Sequence, residues 1–370
     1  MKTKAAVLRE FKKPLSIEEL ELAEPKANEV LVKYVATGFC HSDLHVMLEE
    51  IPVPLPMVLG HESAGIVEKV GPGVTKVKPG DRVVCTWMIP CGKCFQCLQG
   101  RGNICEGNFG PFLQGRLLDG TSRLKDKSGK DIGHGFFVTG FSTYSIVPED
   151  GAFPIPKELP FEQACSIGCS LPTGWGSVVN VGKITSGTSV AVFGCGGVGL
   201  NTIRAASLRH ANPVIAVDIE GEKEAIAREF GATHFINSSR EDPVPKIQEL
   251  TGSSGAEVVF EAIGDPGAIV QAWWSLRMGG KLVLPGITPA QESTNLPLML
   301  MPLHAKSILG TIYGEIKTAT DIPRLANLAA TGIFKLDKLV TKKIKLEQIM
   351  EAAEAMTRRQ IKGRWVLMME

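Results

Sequence analysis

Residues 189–199 read SVAVFGCGGVG, and this stretch sets the architecture of the chain. A short apolar run, Val190 to Phe193, meets the glycine-rich turn Gly194-Cys195-Gly196-Gly197-Val198-Gly199. The helical pattern LNTIRAASLR comes directly after it. Strand, G-x-G-x-x-G and helix in that order form the arrangement in which a backbone cradles a dinucleotide. Gly194 permits the tight turn, Gly196 lets the backbone approach a pyrophosphate, and Gly199 allows close helix–strand packing. Gly197 and Val198 open the helix, whose unpaired N–H groups and dipole favour anions. Glycines alone more often mark simple turns. Here, however, a second apolar run, VIAVD at 214–218, ends in Asp218, at the distance the pattern requires. A carboxylate there accepts hydrogen bonds from ribose hydroxyls and repels a 2′-phosphate. No arginine is present in DIEGEK, so NAD is expected over NADP.

Beyond this stretch the pattern alternates. A helix is expected near 221–230, a strand at 234–236, a helix at 243–251 and a strand at 256–260. A helix at 266–277 and strands at 280–284 and 307–311 complete the series. Strands alternating with helices imply a doubly wound parallel sheet, hence an α/β fold, over roughly 171–312. Residues 1–170 differ. Short β-rich runs such as EVLVKYVATG, AGIVEKVG and DRVVCTW lie between Gly/Pro turns, with no long helical period before residue 160. The segment 313–370 carries a helix near 346–358 and a last strand, RWVLMM. The chain is therefore expected to leave a β-rich domain, build the nucleotide domain and return.

Of the 370 residues, 44% are hydrophobic and 21% charged, and the net charge is +1. That balance leaves no electrostatic footprint for nucleic acid or an anionic membrane surface. No window approaches the roughly 18 apolar residues of a membrane span. The opening MKTKAAVLREFKKPLSIEEL has no signal-type apolar core, and its acidic residues argue against a transit peptide. A cytoplasmic location is the expectation. Thiols stay reduced there, so nine cysteines call for something other than disulfides.

Four of them fall in CGKCFQCLQGRGNIC, where Cys91, Cys94, Cys97 and Cys105 have spacing C-x2-C-x2-C-x7-C. Short gaps turn successive thiolates toward one centre, and four sulfurs around one ion describe a closed structural zinc site. Lys93, Arg101 and the backbone N–H groups near Gly92, Gly100 and Gly102 can offset the excess negative charge. An iron–sulfur cluster is the rival, disfavoured because no second cysteine run is present. Two further clusters carry metal-type donors. GFCHSDLH supplies Cys40, His41, Ser42, Asp43 and His45, and LGHESAG supplies His61 and Glu62. Cys165 and Cys169 lie in ACSIGCSLPTGWG. Taken singly, each reads more readily as a buried thiol or a core histidine. Spacing does not bring Cys40, His61 and Cys169 together, although two cysteines and a histidine with an open fourth position form a known catalytic zinc shell.

Together, GHE, CHSDLH, the four-cysteine lobe, GCS-x-x-TGW and GCGGVG…D resemble the zinc-dependent alcohol dehydrogenases of the medium-chain dehydrogenase/reductase superfamily. The likeness runs from about Lys4 to the last strand. The long segment 106–142 resembles the class III-like branch. That branch includes glutathione- and mycothiol-linked formaldehyde dehydrogenases and bacterial broad-range alcohol dehydrogenases with tightly held NAD. The resemblance implies a GroES-like catalytic domain over 1–170 and 313–370, with a structural-zinc lobe at about 85–110, and a Rossmann NAD domain over 171–312. It implies Cys40, His61 and Cys169 as catalytic zinc ligands, Asp43 as the carboxylate that orients the histidine, and Glu62 as an aid to ligand exchange. Ser42 would take the hydroxyl proton and pass it through the nicotinamide ribose to His45. His41, Thr173, Lys223 and Arg364 match positions on the cofactor side, and Trp87 with Phe136 or Phe137 matches the substrate channel.

The resemblance further implies NAD, two Zn²⁺ per chain and a small-molecule partner. Primary aliphatic or benzylic alcohols would be oxidised to aldehydes, or the reverse. A thiol-dependent formaldehyde dehydrogenase is the alternative within the family, and a non-catalytic zinc- and nucleotide-binding protein is the alternative outside it. The short apolar run near 307–311 ends the sheet, so a homodimer through that edge is expected, with a tetramer as the other assembly.

Overall fold

The computed structural model describes residues 1–369. The chain divides into two compact units: Met1–Cys169 with the segment from Lys317 onward, and Ser170–Ile316. The turn Tyr313–Glu315, expected beyond a boundary at 312, belongs to the second unit. Gly314 explains this. Its φ is +64°, and a Cβ there would meet the Pro172 and Thr173 carbonyl oxygens at 2.7 and 2.8 Å, so only glycine lets the turn sit on that helix.

In the second unit six parallel strands form one sheet. Their order is His234–Asn237, Val214–Asp218, Val190–Phe193, Ala256–Glu261, Leu276–Leu284 and Ser307–Gly310. Numbered along the chain this is 3-2-1-4-5-6. The order reverses between Val190–Phe193 and Ala256–Glu261, leaving a crevice at their carboxyl ends. Phe193, Ile215, Val217, Val259, Trp273 and Leu282 fill the core. Helices Pro243–Leu250 and Pro266–Trp274 start where the sequence directs. Asp242 and Asp265 accept from Val244 N and Ala268 N, and each is succeeded by a proline. The expected helix 266–277 stops at Trp274. Leu276 instead pairs with Ala256, and the register shifts before Val258, with Gly279 at φ +74° making the extra bend.

The first unit joins a seven-stranded sheet to a small closed barrel. The sheet runs Ala152–Pro154, Arg82–Cys85, Glu62–Val70, Glu29–Gly38, Arg364–Met368, Val340–Lys345, with Tyr144–Pro148 also on Glu29–Gly38. Lys2–Leu8, Ser16–Leu22, Leu124–Lys125, Asp131–His134 and Met57–Val58 close the barrel. Gly38 faces Glu62 on one neighbour and Val366 on the other, which gathers three distant segments at one end of the sheet. The helix Thr318–Ala330, with Pro323 inside it, is not among the elements expected from the sequence. Proline removes one helical hydrogen bond, but Ile322, Leu325, Ala326 and Ala329 bury one stripe and outweigh that loss.

Candidate active site

The chain leaves the strand Glu29–Gly38 through Phe39 and enters the short helix His41–Met47 at Cys40. Asp43 closes this helix start, accepting the Cys40 N–H on Oδ2 at 3.2 Å. Its other oxygen, Oδ1, accepts from Gly60 N at 3.0 Å and stands 3.1 Å from His61 Nδ1. One fully buried carboxylate therefore fixes both the cysteine turn and the imidazole. With Nδ1 engaged, His61 keeps Nε2 as its ligand atom. Gly60 makes the approach possible: its φ is +90°, and a Cβ would strike Phe141 N at 2.6 Å. Cys169 lies between the turn Cys165–Gly168 and the helix Ser170–Gly176, at φ −152° and ψ −69°.

These elements bring one donor atom each from Cys40, His61 and Cys169 within 4.8 Å of one another. All three residues are buried. The thiols act as a pair: Cys40 is drawn well below the usual thiol range, first by the Cys169 thiol and then by Arg364 and His61, while Cys169 rises correspondingly. Burial works against charge on His61, but Asp43 and Cys40 outweigh it and hold the imidazole well above its ordinary value. Such surroundings call for a positive charge at the centre. Two thiolates and an imidazole suit a borderline-soft cation such as zinc, with a fourth position open.

A buried ion pair backs this group. Glu62 and Arg364 are 0% and 4% exposed; Arg364 Nε lies 3.0 Å from Glu62 Oε2, and Nη2 donates to Oε1 at 3.1 Å. Arg364 Nη1 also donates to the Phe39 carbonyl at 2.8 Å, so this guanidinium is committed beside the donors. Burial pushes Glu62 up to about 7, with Arg364 pulling against it. Gly38 leaves room for the carboxylate, since a Cβ there would sit 2.3 Å from Glu62 Oε2.

Ser42 is partly exposed, 3.9 Å from Cys40 Sγ. His45 is buried, and its Nδ1 pairs with Glu50 at 2.5 Å. His41 is exposed, and its ring lies tilted against His45 with 4.7 Å between ring centres. Sequence reasoning misses Glu50; its place after the helix His41–Met47 is the signal that points to it. Around His61 stands an aromatic wall: Phe136 at 4.5 Å and Trp87 at 6.3 Å between ring centres. Phe137 is core, 2% exposed. Phe112 is missed as well. It contacts Trp87, Phe136 and Phe137 at 5.6–5.7 Å.

The second donor group forms from one stretch of the same unit. Cys91, Cys94, Cys97 and Cys105 also bring their sulfurs within 4.8 Å of one another. Four sulfurs each about 2.3 Å from one ion stand roughly 3.8 Å apart, so the group fits zinc after small closure. The backbone supplies compensation: Cys91 N donates to Cys105 Sγ at 3.2 Å and Cys94 N to Cys91 Sγ at 3.4 Å. The N–H groups of Cys97 and Gly107 pull Cys94 down to about 6. A Cβ on Gly107 would lie 2.7 Å from Cys91 Sγ, so a larger residue there would crowd the sulfur.

In the second unit the glycine loop has the form its pattern implies. Gly194 takes φ +91°, a Cβ on Gly199 would meet the Gly194 carbonyl at 1.7 Å, and a Cβ on Gly196 would meet open space. Gly196 caps the helix Gly197–Leu208, so Val198 lies in its first turn with N–H groups free for an anion. Asp218, 6% exposed, accepts from Cys195 N at 2.7 Å and Glu220 N at 3.0 Å, and pairs with Lys223 at 3.0 Å. Thr173 lies on the helix Ser170–Gly176, almost buried. These residues fit a dinucleotide.

Comparison with known proteins agrees with the geometry. Residues 26–157 match the alcohol dehydrogenase GroES-like domain, and residues 197–331 the zinc-binding dehydrogenase domain. An NDMA-dependent alcohol dehydrogenase from Amycolatopsis methanolica is 40% identical over 354 residues, 95% of each chain. An alcohol dehydrogenase zinc-binding domain protein from Burkholderia ambifaria superposes with TM-score 0.94 at 37% identity, covering 100% of this chain and 99% of that one. Benzyl alcohol dehydrogenase from Acinetobacter calcoaceticus gives TM-score 0.91 at 34% identity, over 100% of both. No described helix is long and apolar enough to cross a membrane. The chain belongs to the zinc-dependent alcohol dehydrogenases of the medium-chain dehydrogenase/reductase superfamily, oxidoreductases with a GroES-like and a Rossmann-type domain.

Proposed function

We propose that this protein oxidises primary alcohols, benzylic and aliphatic, to aldehydes with NAD, holding one catalytic and one structural zinc per chain. The observation that carries the reading is the meeting of Cys40, His61 and Cys169 beside an aromatic wall. When bound, zinc supplies Lewis acidity to an alcohol oxygen and NAD supplies the hydride acceptor.

The chain's residues do the rest. Asp43 fixes the His61 tautomer and makes the imidazole a better donor. Ser42, at the helix start, takes the hydroxyl proton, and His45 hands it to solvent past the exposed His41 ring. Glu50 holds the His45 ring in place for that transfer. Glu62, tethered by Arg364, keeps a carboxylate near the donors without adding a free negative charge. Trp87 and Phe136 exclude water and present flat apolar faces, which suit a planar alcohol. Asp218 selects NAD, because a 2′-phosphate would meet its carboxylate. The edge strand Ser307–Gly310 offers the seam of a homodimer.

The test is a panel of alcohols and aldehydes with NAD and NADP, with and without added thiols. NDMA is included as acceptor because the Amycolatopsis methanolica relative is NDMA-dependent. The expected result is thiol-independent turnover of benzyl alcohol and short primary alcohols, preference for NAD, and two zinc per chain. Absence of turnover under every condition overturns the reading.

A further inference from the structure

Phe112 lies between the last of the four clustered cysteines and the barrel, on the short helix Phe109–Leu113. It is the hub of the aromatic group. Its ring meets Trp87 at 5.7 Å, Phe136 at 5.6 Å and Phe137 at 5.6 Å, the last two edge-on. Offset and edge-on rings at these separations attract beyond their simple burial. Phe136 and Trp87 in turn are the rings that reach His61.

The backbone on the far side of this hub is strained. Phe136, Phe137 and Thr139 all take positive φ, at 54°, 60° and 52°. Bulky L-residues rarely adopt such angles, and they persist only where the surroundings over-determine them. Here the anchors are specific. Tyr34 donates its hydroxyl to the Val138 carbonyl at 2.6 Å, and Thr139 bonds His134 and Ser145. Phe137 is locked into the core. Phe136 alone is left half-buried, with its ring turned to His61 and its outer side leaning on Phe112. On the other side, Asn108 donates to the Ile89 carbonyl at 2.8 Å and pins the start of the Phe112 helix next to Trp87. The wall beside His61 is thus clamped from two directions, and Phe112 is the piece common to both.

We propose that Phe112 is a positioning residue for substrate selectivity: by wedging Trp87 against Phe136 it holds the wall in the shape that admits planar aromatic alcohols. Discrimination of benzylic from short aliphatic alcohols then resides in the loop after Cys105, not in the metal donors. This rests on the alcohol-oxidation reading and adds the substrate class to it.

The experiment compares the zinc-loaded protein with its Phe112→Ala, Phe112→Leu and Phe112→Tyr variants. Phe112→Ala is expected to lower kcat/KM for benzyl alcohol about tenfold, chiefly through KM, while kcat/KM for ethanol changes by no more than about twofold. Phe112→Leu falls between, and Phe112→Tyr restores the original ratio. Equal losses on both alcohols, or no loss on either, overturn the proposal. A titration with benzaldehyde followed by tryptophan fluorescence reads the wall without turnover, and the expected result is binding at least about fivefold weaker in Phe112→Ala. Unchanged binding, or no saturable signal in the unsubstituted protein, also overturns it. Loss of all turnover with this fluorescence difference intact would sink only the alcohol-oxidation reading.

Discussion

The two sulfur-rich centres of the first unit make opposite use of the same donor atoms. The four-cysteine group is local: its ligands fall within one short stretch, its surface is half open, and backbone N–H groups balance its charge. The Cys40–His61–Cys169 group draws on three distant segments and is buried. Its charge is balanced by side chains: Asp43 on the imidazole, and Glu62 paired with Arg364 behind. On the proposed reading the difference is one of purpose. Four sulfurs close a shell and knit a loop, whereas three donors leave a position for a reacting atom, which then needs buried second partners to hold its geometry.

Removing one sulfur from each centre puts this contrast under the greatest stress. Cys169→Ser is expected to lose one zinc and cut kcat/KM about a thousandfold or more, with Tm nearly unchanged. Cys94→Ser is expected to lose the other zinc and lower Tm by about 10 °C or more, while activity per correctly folded chain survives. Metal analysis, calorimetry and initial rates on both variants check the pair together. If the two behaved alike, the division of labour would fail.

Asp43→Asn probes the side-chain support at a smaller scale. An amide still bonds the imidazole but no longer favours its charge and donor strength. A loss of about 10- to 100-fold in metal affinity or activity is expected, read by competition with a chelator. The smallest effect sits in the lobe. Gly107→Ala forces a Cβ to within 2.7 Å of Cys91 Sγ, and overpacking of this kind costs about 1–3 kcal/mol. A drop in Tm of a few degrees with unaltered kcat is the expected outcome.

The same contrast between local and distant explains how much of the molecule is legible in its sequence. The glycine loop, Asp218 and the six parallel strands can be read because each depends on a local period or spacing. The four cysteines are legible for the same reason. Cys40, His61 and Cys169 are not readable as a set from spacing; the family resemblance alone nominates them. The sheet pairing of Gly38 with Glu62 joins the first two segments, and the turn Cys165–Gly168, packed so that a Cβ on Gly168 would lie 3.1 Å from the His61 carbonyl, brings Cys169 alongside. Arg364 is expected on the cofactor side; its pairing with Glu62 and its bond to the Phe39 carbonyl are visible only in the fold. Glu50 and Phe112 escape notice because a lone carboxylate and a loop phenylalanine carry no pattern; only the packing of His45 and Trp87 reveals them. The helix Thr318–Ala330 is not among the elements read from the sequence; its buried stripe of Ile322, Leu325, Ala326 and Ala329 outweighs the one bond that Pro323 removes.

Cobalt substitution at both centres, with visible spectroscopy during titration by an alcohol or imidazole, puts the open coordination position itself to the test. An open position at Cys40, His61 and Cys169 predicts that one set of cobalt bands shifts on ligand addition while the four-sulfur set stays fixed, and that Cys169→Ser abolishes the shifting set. Two ligand-insensitive sets of bands would contradict it.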